Sequence, residues 1–495
     1  MSARPPVVVV LAAGEGKRMR SRTPKVLHPL AGRSMLGHVV VTARGLAPER
    51  VAVVVGHGRD QVVPHLAEID ADALPVVQAE QRGTGHAARL ALEALPATDP
   101  DASVLVVPGD APLLTTDTLA RLVERRDESG AAVVLLTAEM PDPTGYGRVI
   151  RDADTGTVDR VVEHKDASDE QRQVTECAVS VYAFDGPYLA AALSKLTTDN
   201  VQGEEYLTDV VEMARVEGRA VEAVVAADHR ETLGVNDRVQ LAAAGRMLND
   251  RLLDHWMRAG VTVVDPATTW VDADVTLEPD SSLYPMTWLR GRTHVASDAE
   301  VGPSTTLLDT LVGEGATVVS THAVGADIGP RAAVGPWTYL RPGVRLRTGA
   351  KAGAFVEMKN ADVGVGAKVP HLSYVGDAEI GEHSNIGAAT VFVNYDGVEK
   401  HFTRIGDHVR IGSDTMLVAP IEVGDGAYTA AGSVITSDVP PGAMAVARGK
   451  QRNVEGWVER RRAGTRSAEA ARSARERAAS TADEDAGETG EGAPG

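Results

Sequence analysis

The chain has 495 residues, of which 43% are hydrophobic, so it can form more than one domain with its own core. Its formal net charge of -19 opposes binding to nucleic acid and to acidic lipid surfaces. The single cysteine, Cys177, excludes an intrachain disulfide and is typical of the reducing cytoplasm. No apolar run approaches the roughly 20 residues that a membrane-spanning helix needs. We therefore expect a cytoplasmic protein that binds neither nucleic acid nor membrane.

The first half of the chain alternates apolar, β-rich runs with helical patterns. The apolar runs are residues 7–11, 51–55, 75–78, 103–107, 131–136 and 179–184. Such alternation is typical of an α/β sheet with helices on both faces. The run from Val7 to Ala13 is short for a signal peptide and leads into a glycine-rich loop, so a buried parallel strand explains it better. Residues 1–235 are therefore predicted to form one Rossmann-like α/β domain.

The loop after the first predicted strand places small residues before positive charge. Residues 11–19 are Leu-Ala-Ala-Gly-Glu-Gly-Lys-Arg-Met. Small residues let a backbone approach a ligand closely, so we expect the loop to cradle phosphate. A dinucleotide-binding fingerprint would need glycine in place of Met19, and a Walker loop would need Ser or Thr in place of Arg18. The loop therefore matches neither of these common motifs.

Residues 236–260 have a helical apolar pattern and are predicted to form a linker helix. After about Thr262 the period changes to six residues, with an aliphatic residue followed by glycine. The aliphatic residues are Val301, Val312, Ile328, Val334, Val363, Ile380, Ile386, Ile405, Ile411 and Val423. Small residues recur three positions after the glycine, at Thr305, Ala316, Ala332, Thr338, Ala367, Ser384 and Thr390. Stacked coils that each point one aliphatic side chain inward bury a continuous core, so residues 261–462 are predicted to form a hexapeptide-repeat prism.

The six-residue register breaks between Ile386 and Ile405, where residues 393–397 are Val-Asn-Tyr-Asp-Gly. Insertions in solenoids commonly carry binding function, so we expect this loop to contribute to a site. Beyond Trp457 the chain becomes rich in Ala, Ser, Glu and Gly and loses nearly all aliphatic residues. Residues 463–495 are therefore predicted to be a disordered tail.

The amino-terminal motifs together resemble those of a known enzyme family. Residues 11–19, followed by Pro24 and Lys25, are similar to the start of the sugar-phosphate nucleotidyltransferases. Further matching motifs are Gln78, Gly83-Thr84-Gly85, Pro108-Gly109-Asp110, Gly145-Tyr146-Gly147, Glu163, Tyr206-Leu207-Thr208-Asp209 and Gly234-Val235-Asn236. Because hexapeptide repeats follow in the same chain, it resembles the bifunctional N-acetylglucosamine-1-phosphate uridyltransferases and glucosamine-1-phosphate acetyltransferases of bacterial cell-wall precursor synthesis.

This resemblance implies two reactions in one cytoplasmic chain. Acetyl-CoA, as co-substrate, would acetylate the amine of glucosamine-1-phosphate. UTP would then react with N-acetylglucosamine-1-phosphate to give UDP-N-acetylglucosamine and pyrophosphate, with Mg2+ as cofactor. The resemblance also implies a homotrimer and a left-handed parallel β-helix, whose handedness the six-residue period does not determine.

For the amino-terminal domain the resemblance implies a set of nucleotide- and sugar-binding residues. They are Leu11, Ala12, Ala13, Gly14, Lys25, Gln78, Gly83, Thr84, Pro108, Gly109, Asp110, Gly147, Glu163, Ala178 and Asn236. Asp110 and Asn236 would hold Mg2+, an ion that prefers oxygen ligands and bridges phosphates. Lys25 would contact phosphate, and Arg18 would stabilise charge on the leaving pyrophosphate. Cations suit such a site because the reaction brings two anions together.

In the β-helix the resemblance implies that His371 is the general base. An amine must lose a proton as it attacks a thioester, and histidine titrates near neutral pH. The residues implied to bind the phosphorylated amino sugar are Arg341, Lys359, Tyr374 and Asn385. Those implied to bind acetyl-CoA are Ala388, Asn394, Tyr395, Ser413, Ala431 and Arg448. Small residues such as Ala and Ser also suit prism corners, which is the alternative explanation for several of these.

Four residues depart from the family pattern. Ala178 and Ser180 stand where the family usually has Asn and Gly, and the missing amide normally bonds the sugar. One such bond is worth about 0.5–1.5 kcal/mol, so we expect weaker substrate binding. Lys17 replaces the usual Thr, and Met286 stands where an early coil usually has Gly.

Two alternative functions stay open. A glucose-1-phosphate adenylyl- or thymidylyltransferase with a regulatory β-helix would share the amino-terminal motifs, although the residues around His371 disfavour it. An acetyltransferase whose amino-terminal domain only senses a sugar nucleotide, or supports the structure, would explain Ala178 and Ser180.

Overall fold

The computed structural model describes residues 4–96, 99 and 101–488, with side chains described as far as residue 481. The amino-terminal strands are β1 (Val7–Ala12), β2 (Pro29–Leu30), β3 (Arg33–Ser34), β4 (Arg50–Val55), β5 (Leu74–Val77), β6 (Ser103–Pro108), β7 (Val133–Glu139), β8 (Gly147–Arg151), β9 (Val158–Val162), β10 (Glu176–Asp185) and β11 (Val221–Val225). The helices are α1 (Met35–Arg44), α2 (Arg59–Ile69), α3 (Thr84–Ala94), α4 (Thr116–Ser129), α5 (Gly186–Leu193), α6 (Asp209–Val216), α7 (Arg238–Arg258), α8 (Trp457–Arg461) and α9 (Arg466–Glu488). Short 3-10 turns occupy Lys17–Met19, Lys25–Leu27, Gln171–Gln173 and His229–Thr232.

The amino-terminal domain is built on a mixed sheet of nine strands, with the main order β11-β7-β10-β6-β1-β4-β5. The central strand β1 is parallel to β4 and β6, whereas β10 runs antiparallel between β6 and β7. Val8 and Val10 of β1 pack in one core with α1, α2 and α4. Val7 and Val9 pack in another core with α3, α5 and α6. Helices therefore cover both faces, as the alternating apolar runs predicted.

The carboxyl ends of β1 and β6 bring distant loops together. Leu11 pairs with Pro108 at the ends of the two strands, and the Gly109 amide donates to the Leu11 carbonyl over 2.8 Å. The Val235 amide, just before α7, donates to the Asp110 carbonyl over 2.9 Å. Loops separated by more than a hundred residues therefore converge at one sheet edge, where open α/β folds bind ligands.

Helix α7 forms where the linker helix is predicted and connects the sheet domain to the first coil of the prism. Asp237 caps it by accepting a hydrogen bond from the Gln240 amide. Asn249 is fully buried: its Nδ2 donates to the Thr269 carbonyl over 2.9 Å, and its Oδ1 accepts from the Val271 amide over 3.0 Å. This side chain joins the helix to the start of the prism.

The carboxy-terminal domain is a left-handed parallel β-helix with three faces, and every ladder in it is parallel. The first face consists of Thr262–Val263, Ser282–Leu283, Glu300–Val301, Thr317–Val318, Ala333–Val334, Lys351–Ala354, Lys368–His371, Asn385–Ile386, Arg410–Ile411, Tyr428–Thr429 and Met444–Ala445. The second consists of Trp270–Val271, Thr287–Arg290, Thr305–Leu308, Thr321–Val324, Thr338–Leu340, Glu357–Val363, Tyr374–Ile380, Val391–Val393, Met416–Val418 and Val434–Ile435. The third consists of Thr276–Leu277, His294–Val295, Leu311–Val312, Asp327–Ile328, Arg345–Leu346, Thr403–Ile405 and Ile421–Val423, together with the ends of Glu357–Val363 and Tyr374–Ile380, which continue around a corner.

The six-residue pattern predicted the interior of this prism correctly. Each of the ten aliphatic residues named above is at most 3% exposed, and so is each of the seven small residues. The corners use left-handed backbone even where the residue is not glycine, as at Trp337 (φ 56°) and Phe355 (φ 57°). Met286 occupies such a corner with φ 59° and is 56% exposed, so its side chain does not disturb the interior.

The end of the chain contains one further helix. Helix α9 covers Arg466–Glu488, within the segment 463–495 for which no secondary structure was expected. Its composition explains the helix, because Ala, Arg and Glu are among the strongest helix formers. Among its described side chains, Ala468 alone is buried, so propensity rather than packing favours it. Residues 489–495 lie outside the described part of the chain.

Candidate functional sites

Two adjoining cavities lie at the carboxyl edge of the amino-terminal sheet. Cavity A, of about 250 Å³, is lined by Arg18, Asp110, Gly147, Glu163, Ala178, Ser180, Asn236 and their neighbours. Cavity B, of about 330 Å³, is lined by Leu11, Ala12, Ala13, Gly14, Lys25, Gln78, Gly83, Thr84 and others. Pro108, Asp110 and Ser180 line both. The structure therefore gathers the amino-terminal residues predicted from the sequence around one divided cleft, except Gly109, which is buried and lines neither cavity.

Lys25 joins the two implied metal ligands at the boundary of the cavities. Its Nζ donates a hydrogen bond to Asp110 Oδ2 and another, of 3.1 Å, to Asn236 Oδ1. The side chains of Lys25 and Asp110 are only 12% and 22% exposed. Two hard oxygen donors thus converge on one positive group, which is the chemistry that Mg2+ prefers. In the part of the chain that the structure describes, no cluster of three or more His, Cys, Asp or Glu side chains could hold a metal.

The loop after β1 is shaped around Lys25. Gly16 has φ 64°, and a Cβ atom there would lie 2.6 Å from the Lys25 Cβ, so a larger residue would displace the lysine. A Cβ atom on Gly14 would meet nothing within 4 Å, so this face of the loop is open to a ligand. Lys17 does not line either cavity; it pairs with Glu15 over 2.8 Å and is 78% exposed.

The walls of the two cavities carry different chemistry. In cavity B, Gln78 is 4% exposed. Its side-chain amide donates to the Gly83 carbonyl over 3.1 Å, and this hydrogen bond holds the amide beside the first residue of α3. In cavity A, Glu163 accepts a 3.2 Å hydrogen bond from Thr208, and burial raises the pKa of its carboxyl. A carboxyl group of this kind is a strong acceptor for sugar hydroxyls once it is ionised.

Gln81 lines cavity B and was not singled out from the sequence. Its Nε2 donates to the Ala13 carbonyl over 2.8 Å and so holds the loop after β1. Nothing in the local pattern distinguishes Gln81 from a surface residue, because its partner lies 68 residues earlier in the chain.

In the β-helix, His371 ends a strand of the first face and is exposed. Tyr374 begins the next strand, past the corner at Leu372 (φ 52°). Arg341 and Lys359 lie on adjacent coils of the second face, since the Arg341 amide donates to the Met358 carbonyl over 2.9 Å. The structure therefore brings these four residues to neighbouring coils, with His371 and Tyr374 on either side of one corner and Arg341 and Lys359 toward the other end of the second face.

Lys400 adds a cation that the sequence pattern did not indicate. It follows the protruding loop, and the neighbouring ammonium group of Lys359 lowers the pKa of Lys400. Arg341 acts on Lys400 in the same direction, although its own guanidinium also pairs with Glu357 over 3.1 Å. Three cations thus face the same region, which suits the phosphate of a sugar phosphate.

Asp377 was also not predicted from the sequence, and its buried carboxylate contacts several members of this cluster. It is 8% exposed, accepts 2.8 Å and 2.5 Å hydrogen bonds from the amides of Asn360 and Asn394, and lies 3.6 Å from Lys359 Nζ. Burial alone would raise the pKa of Asp377, but these amides and the charges of Lys359 and Lys400 outweigh it and lower the pKa. Asn394 begins the protruding loop, so the carboxylate holds the loop to the prism.

The residues implied to bind acetyl-CoA form a row along the prism axis. The Asp414 amide donates to the Ala388 carbonyl, and the Gly432 amide donates to the Ser413 carbonyl, over 2.8 Å and 2.9 Å. Arg448 continues the row by donating to the Ala431 carbonyl over 2.9 Å. Tyr395, which follows Asn394 in the loop, is 55% exposed.

Asn385 lies on the same face as His371 but at a different position along the strand direction. It pairs in register with Lys368, which lies three residues before His371 on the same face. At about 3.3 Å per residue, Asn385 and His371 are therefore roughly 10 Å apart along the strand direction. The structure does not place Asn385 beside His371 in the same chain.

The fold and the two sites define the class of protein: a nucleotidyltransferase domain joined to a hexapeptide-repeat transferase. Residues 8–234 match the family described as a MobA-like NTP transferase domain, and residues 402–437 match the bacterial transferase hexapeptide family. In the described chain, no helix is long and apolar enough to cross a membrane.

Curated relatives match almost the entire chain. It is 61% identical over 472 residues to Bifunctional protein GlmU of Streptomyces avermitilis, covering 95% of this chain and 98% of the relative. It is 60% identical to the protein of the same name from Streptomyces coelicolor, with the same coverage. It is 57% identical to that of Thermobifida fusca, covering 96% of this chain and 99% of the relative. The chain belongs to the GlmU family.

Proposed function

We propose that this chain is a bifunctional enzyme that acetylates glucosamine-1-phosphate with acetyl-CoA and then uridylates the product with UTP. The proposal is supported by the presence of two sites in one chain. One is the cluster of Lys25, Asp110 and Asn236, and the other is His371 with the row of residues implied to bind acetyl-CoA. The product of the prism reaction is the sugar phosphate that the sheet domain consumes. One aminosugar can therefore pass through both sites.

In the uridyltransferase site, the nucleotide occupies cavity B and the sugar phosphate occupies cavity A. The uracil ring faces Gln78 and the backbone at Gly83, while Gly147 and Glu163 bind the sugar. A phosphate oxygen of the sugar phosphate attacks the α-phosphorus of UTP, and pyrophosphate leaves. Lys25 and Arg18 neutralise the negative charge that the two anions bring together.

Asp110 and Asn236 are the residues that would hold Mg2+, because their oxygen atoms already share one cationic partner. When bound, the ion supplies positive charge to the phosphates of the nucleotide. Lys25, which lies beside both residues, would place its ammonium group at the nucleotide phosphates.

In the acetyltransferase site, the amine of glucosamine-1-phosphate attacks the thioester carbonyl of acetyl-CoA. His371 accepts the proton that the amine loses, and CoA leaves as the thiol. Arg341 and Lys359 bind the sugar phosphate. Ala388, Ser413 and Ala431 let the narrow pantetheine arm lie along the prism, with Arg448 at the end of the row.

The acetyltransferase site is completed between chains of a homotrimer. Asn385, which lies roughly 10 Å from His371 along the strand direction, would serve the site of a neighbouring chain. An exposed apolar corner beside His371 supports this assembly: Trp337 and Phe355 stack at 5.2 Å and are 63% and 56% exposed, and Leu372 is 59% exposed. Sedimentation at equilibrium is expected to give three times the chain mass of 52.0 kDa.

Two assays on one preparation test the proposal. Thiol release from acetyl-CoA on adding glucosamine-1-phosphate reports the prism, and pyrophosphate release from UTP plus N-acetylglucosamine-1-phosphate reports the sheet domain. His371→Ala should lower thiol release by about 10²–10⁴-fold and leave pyrophosphate release unchanged. Thiol release unaffected by this substitution removes His371 from the mechanism. A panel of nucleoside triphosphates in which ATP or dTTP replaces UTP as the best substrate contradicts the uridylyl assignment.

A further inference from the structure

Ser180 has a backbone conformation that is unfavourable for a residue with a side chain. Its φ is 58°, in the left-handed region, where a Cβ atom crowds the following carbonyl. It lies in β10 between Ala178 and Tyr182, where the register with β7 shifts. Glycine would adopt this conformation without cost. A strained residue at a site persists when something else there compensates for it.

The position of Ser180 indicates what compensates. It is exposed and, with Pro108 and Asp110, is one of the residues that line both cavities. Among the described residues, no hydrogen bond involves the Ser180 hydroxyl. Two threonine hydroxyls on the wall of cavity A are already engaged: Thr208 donates to Glu163, and Thr232 donates to the His229 carbonyl over 2.8 Å.

The two positions of this strand directly before Ser180 offer cavity A no polar side chain, and the next polar residue of the strand that lines the cavity, Tyr182, is only 2% exposed. Ala178 and Val179 line the cavity with methyl groups, and both are at most 5% exposed. Ala178 pairs in register with Gly147, on the opposite side of the same cavity. A sugar bound there would meet a stretch without donors, followed directly by the Ser180 hydroxyl.

We propose that the Ser180 hydroxyl is a specificity-determining contact: it hydrogen-bonds the acceptor sugar phosphate where cavities A and B meet. This inference rests on the proposed uridyltransferase function. The left-handed backbone aims a short side chain into the junction, and the hydrogen bond to substrate compensates for the conformational cost. The sugar, rather than the nucleotide, is the partner because Ser180 continues the β10 wall of cavity A.

Two substitutions distinguish the contribution of the Ser180 hydroxyl from that of its backbone conformation. Ser180→Ala keeps the Cβ atom and removes the hydroxyl, so the KM for N-acetylglucosamine-1-phosphate should rise about 2- to 12-fold, with the KM for UTP unchanged. Ser180→Gly removes both the hydroxyl and the strain. Its KM should rise by the same factor while the melting temperature of the amino-terminal domain rises by about 2–4 °C.

Met286→Gly is the matched control. Met286 has nearly the same φ, 59°, but lies in the β-helix, away from both cavities. Its replacement should raise the melting temperature without changing the KM for either uridyltransferase substrate. Thiol release by the acetyltransferase site serves as the folding control for all three variants.

The inference is overturned if Ser180→Ala leaves the KM for N-acetylglucosamine-1-phosphate unchanged, or raises only that for UTP. It is also overturned if Ser180→Gly is more stable and binds the sugar phosphate as well as the original chain. These outcomes differ from failure of the proposed function, in which the unsubstituted chain itself releases no pyrophosphate from UTP.

Discussion

Asp377 provides a quantitative test of how the prism holds its protruding loop. In Asp377→Asn, one carboxylate oxygen becomes an NH2 group, which cannot accept a hydrogen bond. Since Asn360 and Asn394 both donate to this side chain, one of them must then face another donor. The loss of a hydrogen bond to a buried charge costs about 1.5–3 kcal/mol. The ammonium group of Lys359 also loses its nearby negative partner.

The expected result is weaker binding of acetyl-CoA, because Asn394 begins the loop that would contact the coenzyme. If the whole cost appears in binding, the KM for acetyl-CoA rises about 12- to 160-fold. Thiol release at varied acetyl-CoA and saturating glucosamine-1-phosphate measures this change. Pyrophosphate release should stay constant, because the sheet domain does not contain the substitution.

Asp362→Asn is the control for this experiment. Asp362 is a carboxylate of the same domain, but it is 36% exposed and pairs with Arg347 at the surface, so its loss should change the KM less than twofold. An unchanged KM for acetyl-CoA in Asp377→Asn would refute the reasoning. So would a variant that melts at lower temperature but keeps its KM, since the carboxylate would then support only the fold.

Three further predictions concern stability. Burial raises the pKa of Asp209 to about 6, so the folded protein keeps a proton that the unfolded chain releases, and stability falls as pH rises from about 4 to 6. Because solvent screens this partly exposed carboxyl, Asp209→Asn should be only about 1–2 kcal/mol more stable in urea at pH 7.5, and equal stability there would contradict this. Asn249→Ala should cost about 2–4 kcal/mol in thermal unfolding, because it leaves the Thr269 carbonyl and the Val271 amide unpaired and buried; a loss below 1 kcal/mol would argue against this role. Asp274→Ala removes an ion pair between the two domains, in which the side chain of Asp274 is 44% exposed. The substitution should therefore lower the free energy of unfolding by less than about 1 kcal/mol, and by nothing measurable in high salt.

Much of the fold could be predicted because its signals are local and repeated. The alternating apolar runs indicated helices on both faces of the sheet, and β1 confirms this by sending Val8 and Val9 into different cores. The six-residue period likewise predicted which side chains fill the prism. Within the segment predicted to be a tail, helix α9 is rich in alanine, which favours a helix without packing partners.

The sequence by itself determined the repeating interior and the presence of reactive side chains at strand ends, because both follow from spacing along the chain. Only the tertiary structure decided which of these side chains meet. Lys25 contacts Asn236 across 211 residues, and Asp377 contacts Asn394 one coil further along the prism. It also decided that the backbone of Ser180 is in the left-handed conformation and that Asn385 and His371 lie apart. Backbone angles and distances across a fold depend on packing against residues that are remote in sequence.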